Sequence, residues 1–75
     1  MFYILEIQKN PNGTYAHLVK TAETYNDAMS EYHKVLMYAA KSGLPLHTAS
    51  LINEIGEVIV HEDYRHEQAQ EPAEE

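Results

Sequence analysis

One stretch of this chain repeats its apolar residues at helical spacing, and it limits what the rest can build. Residues 24–43 read TYNDAMSEYHKVLMYAAKSG. Thr24 is suited to cap the helix start, with Asp27 three residues on as a shorter relative of the glutamate in a capping box. Gly43 supplies the expected stop, and Pro45 follows two residues later. At about 100° per residue, Tyr25, Ala28, Met29, Tyr32, Val35, Leu36, Ala39 and Ala40 share one arc. Asn26, Asp27, Ser30, Glu31, Lys34 and Lys41 lie opposite. The other patterns read as strands or tail, so this helix has a sheet to cover.

Phe2 to Gln8 alternates and is rich in Ile, Leu and aromatic residues, the signature of a strand. Asn10-Pro11-Asn12-Gly13 then forms a turn in which proline presets φ and glycine accepts a positive one. A type I turn with a glycine bulge pairs Asn10 with Thr14. It sets Ile7 opposite His17, Leu5 opposite Val19 and Tyr3 opposite Thr21. A two-residue Asn12-Gly13 turn would shift that register by one. The second strand ends near Ala22. Leu46 to Asn53 reads as the third strand and Glu57 to about Asp63 as the fourth, joined by a second Asn-x-x-Gly turn. The same turn geometry pairs Ile52 with Val58, Leu51 with Ile59, Ala49 with His61 and His47 with Asp63. The order is ββαββ: an α+β fold of two antiparallel hairpins in one four-stranded sheet, with the helix on one face. The sequence does not order the strands within the sheet.

Residues 1–64 read as one domain. Residues 65–75 close the chain with RHEQAQEPAEE, whose last nine residues hold nothing apolar larger than alanine, and they read as a disordered acidic tail. The formal net charge of −7 is uneven: residues 62–75 carry −5 and residues 1–61 only −2. No basic stripe exists, so direct nucleic-acid binding is not expected. With no apolar run of membrane-spanning length and no signal peptide ahead of the first strand, a soluble, cytoplasmic protein is expected. The absence of cysteine agrees with a reducing compartment. At 75 residues the buried core is small, so tight packing or self-association must supply stability.

Candidate chemistry is sparse. His47, His61 and Asp63 share a face in the expected second-hairpin register, and two imidazoles with a carboxylate suit zinc. That spacing follows from any alternating hairpin, so no metal and no cofactor is expected. The segment His61-Glu62-Asp63-Tyr64-Arg65-His66 is not HExxH, because its histidines are five apart. Ser30, Ser42 and Ser50 sit in no nucleophile-elbow context. Gly13, Gly43 and Gly56 are accounted for by turns and a cap, leaving none for a phosphate loop. The chain therefore reads as a non-enzyme.

A binding role rests on apolar surface. One helix covers one sheet face, while both faces of each hairpin carry apolar side chains. Phe2, Ile4 and Leu18, with Leu51 and Ile59, are the residues expected on the uncovered face, and Met37 and Tyr38 flank the helix. A contiguous apolar patch marks an interface. The expected partner is another copy of the chain, or else a host or phage protein. An alternative is an inhibitor whose acidic tail fills a basic groove on a nucleic-acid-processing host protein.

The opening FYILEIQ, the Asn-Gly turn, the helix start TYNDAMSEYHK and the closing NEIGEVIVHEDY give the chain a likeness of layout. It resembles small uncharacterised proteins encoded in phages and prophages of Gram-positive-type bacteria. The resemblance spans most of residues 1–64 and contains no catalytic signature. It implies a small accessory or structural protein acting by binding, with no active site to carry over.

Overall fold

The two glycine turns set the architecture. In the computed structural model, which describes residues 1–66, Gly13 and Gly56 adopt φ of 92° and 90°, values a side chain strongly disfavours. Each lets an Asn N–H reach back across its turn: Asn10 donates to the Thr14 carbonyl at 2.8 Å and Asn53 to the Glu57 carbonyl at 2.9 Å. The elements run β1 (Phe2–Lys9), β2 (Tyr15–Ala22), α1 (Tyr25–Lys41), β3 (Leu46–Ile52) and β4 (Val58–Tyr64). The strands form one antiparallel sheet in the order β2-β1-β3-β4. β2 and β3 therefore run the same way on either side of β1, and α1 is the crossover that carries the chain past it.

The helix begins as its sequence dictates: the Thr24 hydroxyl accepts the Asp27 N–H at 3.1 Å, and Asp27 places negative charge at the positive helix end. It ends at Gly43 with φ of 70°. Its buried side is Ala28, Tyr32, Val35 and Ala39, of which the first three pack with Ile4, Ala49 and Leu51. Three of these seven are alanines with no exposed surface. Small side chains on both layers bring the helix close to the two central strands. Tyr25 and Ala40, at the margins of the expected arc, stay exposed. Tyr25 meets the Phe2 ring edge-on at 6.0 Å.

The first hairpin has the register expected from its turn. The second does not. Leu51 pairs with Val60 and Ile52 with Val58, so Ile59 is bulged out of the ladder. Beyond the bulge every partner moves by one: Ala49 faces Glu62 instead of His61, and His47 faces Tyr64 instead of Asp63. The gain is in packing. The bulge turns Val60 and Tyr64 toward the helix, where an unbulged strand would have turned His61 and Asp63.

After β4, Arg65 is exposed and pairs with Asp63 at 3.2 Å, while His66 packs back on the domain. The His66 ring stacks on Tyr64 at 6.3 Å and its Nε2 lies 3.1 Å from the Ala39 carbonyl. The rest of the expected tail, residues 67–75, lies outside the described residues. No helix among the described residues is long and apolar enough to cross a membrane.

Two predictions follow from the core. Ile4 is 1% exposed, so Ile4→Ala should cost about 2–5 kcal/mol and lower the thermal midpoint followed by circular dichroism. The Tyr32 ring is 2% exposed, yet its hydroxyl has no hydrogen-bond partner among the described residues. Burial raises its pKa above the ordinary value, and Glu62 and Tyr64 add to the shift. An unfolded tyrosine ionises first, so this contribution to stability is full below about pH 10 and falls as pH rises through the folded pKa. Tyr32→Phe should therefore leave neutral-pH stability equal or higher and flatten the alkaline loss, as read by urea denaturation across pH.

Candidate functional site

The register divides the side chains between two faces. Even-numbered residues of β1 and β2 point toward α1, together with His47, Ala49 and Leu51 of β3 and Val60, Glu62 and Tyr64 of β4. The opposite, open face is laid out in cross-strand rows. Val19, Leu5, Ser50 and His61 form one row, with His17, Ile7, Thr48 and Asp63 on one side of it. On its other side lie Thr21, Tyr3, Ile52 and Val58. Tyr3, Leu5 and Ile7 thus run down the middle of the sheet, joined by Val19 on one side and by Ile52 and Val58 on the other. Tyr3, Val19 and Val58 are exposed and the rest of this stripe is half-buried. Among the described residues no element covers it.

This placement corrects the interface residues expected from sequence. Ile4 and Leu51 belong to the core, with 1% and 0% exposure, and cannot face a partner. Phe2 is half-buried against α1, and Leu18 lies on the helix side of β2, where the helix leaves it exposed. Ile59 is the bulged residue and lines a hollow with Met1, Phe2 and Ile55. Met37 and Tyr38 are exposed on α1, away from the open face. None of the five expected on the sheet face lies on the uncovered stripe, and Met37 and Tyr38 stand on the helix as expected. The first-hairpin pairing already grouped Tyr3, Leu5, Ile7 and Val19 on one mostly apolar face. What it left open was which face would meet the helix.

The histidines separate in the same way. His47 faces α1 and is 3% exposed, whereas His61 and Asp63 lie on the open face. Their expected common face fails because the bulge shifts the register. Among the described residues, no group of three or more His, Cys, Asp or Glu side chains is placed to hold a metal ion. His61 instead lies 2.7 Å through Nδ1 from the Ser50 hydroxyl.

His47 has its own network. Its Nε2 lies within hydrogen-bond distance of Glu6 Oε2, at 2.6 Å, and the Gln8 amide donates to the same oxygen at 2.8 Å. Its Nδ1 lies 3.1 Å from Ser42 Oγ. That hydroxyl also lies 3.2 Å from the Ala39 carbonyl and accepts the Leu44 N–H at 3.3 Å. A carboxylate, an imidazole and a serine in series have the composition of a hydrolytic triad. Here the serine caps the C-terminal end of α1, where partial negative charge opposes the oxyanion that acyl transfer must stabilise. The same three groups tie the helix end to the sheet. Sequence reading missed this because Glu6 and Ser42 are 36 residues apart and only the β1–β3 pairing brings His47 between them.

The chain matches no protein-family model, no curated protein and no solved structure.

Glu6→Ala should leave the buried imidazole without its acceptor and lower unfolding stability by about 1.5–3 kcal/mol, measured by urea denaturation. A loss below about 0.5 kcal/mol, the size of an ordinary surface substitution, would show that this network does not hold the helix to the sheet.

Proposed function

We propose that this chain is a non-enzymatic interaction module that associates with a second copy of itself through the open face of its sheet. The observation that carries the reading is the uncovered stripe of Tyr3, Leu5, Ile7, Val19, Ile52 and Val58, continuous across all four strands. An apolar stripe on a small domain with a one-sided core gains most by being covered. The polar groups flanking the stripe are arranged so that a second copy can serve as the cover. In one row of the open face, His17 stands on β2 at one end and Asp63 on β4 at the other. A copy stacked about a twofold axis running along the strands sets its His17 over Asp63, and the reverse, with the apolar stripes between them. The Ser42 hydroxyl, held at the negative end of α1, supports a role without catalysis. The resemblance to phage-encoded proteins points to an accessory or structural task.

Leu5 is in the middle of the stripe and outside the core, so Leu5→Glu should leave the helical circular dichroism intact. In sedimentation velocity it should abolish the face contact. An unchanged sedimentation profile for a folded Leu5→Glu variant would overturn the reading.

A further inference from the structure

The two edges of the sheet are built differently. Asn10 donates to Thr14, and antiparallel ladders alternate, so Ala16, Leu18, Lys20 and Ala22 spend their backbone groups on β1. Tyr15, His17, Val19 and Thr21 then direct their N–H and C=O groups outward. No strand among the described residues meets them. β2 has no register shift, no proline and, apart from half-buried Ala22, no covered residue. β4, the other edge, is bent by the bulge at Ile59 and carries Glu62 and Asp63. A bulge and charges are how natural sheets blunt an edge. β4 has both, and β2 has only Lys20, which is engaged with Glu31 on α1 at 3.4 Å.

We propose that β2 is a second self-association site, pairing antiparallel with β2 of another copy about a twofold axis at Leu18. It stands on a different surface from the face contact. Only a pairing centred on Leu18 uses all four outward-directed residues of each strand. It sets Tyr15 against the partner's Thr21 and His17 against the partner's Val19. Lys20 then falls opposite the partner's Ala16, so no like charges meet directly. At the centre, Leu18 faces its own symmetry mate in a non-hydrogen-bonded pair, where side chains come closest. That position explains a residue the monomer leaves unexplained: Leu18 points to the helix side of the sheet, yet α1 leaves it 51% exposed.

The symmetry supplies the test. Leu18→Lys and Leu18→Glu are tolerable in the monomer because the site is exposed, and helical circular dichroism checks that each folds. Each full-length variant alone should lose the edge contact in sedimentation velocity, since like charges would meet on the axis. Mixed in equal amounts, with one isotope-labelled, they should form a heterodimer in native mass spectrometry. Loss in each variant with recovery on mixing supports the edge. Variants that associate like the wild type, losses not rescued by mixing, or a wild type monomeric at millimolar concentration would overturn it. Leu5→Glu separates the two contacts: if it alone abolishes association while both Leu18 variants keep it, the face stands and the edge falls. The reverse result removes the face and leaves the edge.

Discussion

One helix can cover one face of a sheet, and the described part of this chain has one helix for a sheet that is apolar on both faces. The choice of face decides the rest. α1 packs on the side that offers Ala49 and Leu51 on β3 and Ile4 on β1. That side also carries Glu6, Gln8, Lys20 and Glu62, so its apolar surface is interrupted by polar groups. Ala28 on the helix meets a sheet whose central strand β3 presents Ala49, and small side chains on both layers allow dense contact. The polar residues caught on the inner side are then satisfied locally. Glu6 and Gln8 close on His47, and Lys20 reaches Glu31 on the helix.

That arrangement transfers the unmet demand to the outside. Tyr3, Leu5 and Ile7 lie on β1, one of the two central strands, with Val19, Ile52 and Val58 beside them. In a larger protein a second helical layer would cover such a stripe. Here no element among the described residues covers it. The same economy appears inside, where the Tyr32 ring fills the core while its hydroxyl goes without a partner among the described residues.

Local signals were legible wherever one residue type decides a backbone conformation. Thr24 and Gly43 bounded the helix, Asn10 with Gly13 set the first register, and alternation marked the four strands. The bulge at Ile59 was not legible, because it arises from a tertiary preference for Val60 and Tyr64 over His61 and Asp63 against the helix. That displacement undid the common face of His47, His61 and Asp63. The buried network at His47 was hidden for a related reason. It depends on β1 and β3 being neighbours, and the β2-β1-β3-β4 order has no local signature. The inward placement of Ile4 and Leu51 was equally out of reach, since hydrophobicity alone would turn the other face of the first hairpin inward.

The edges and the open face constrain one another. A face contact about an axis along the strands passes between β1 and β3. An edge contact has its axis at the outer side of β2, perpendicular to the sheet. Twofold axes that do not meet cannot close into a ring or a compact oligomer, so both contacts used together would generate an open two-layered ribbon. Extending that ribbon sets the β4 edge of one copy beside the β4 edge of the next. Glu62 and Asp63 would then crowd against the same acids across the junction, on a strand already bent by its bulge. Repulsion there would oppose growth and favour a small assembly. The acids of β4 would then limit the assembly at the edge that the bulge already bends.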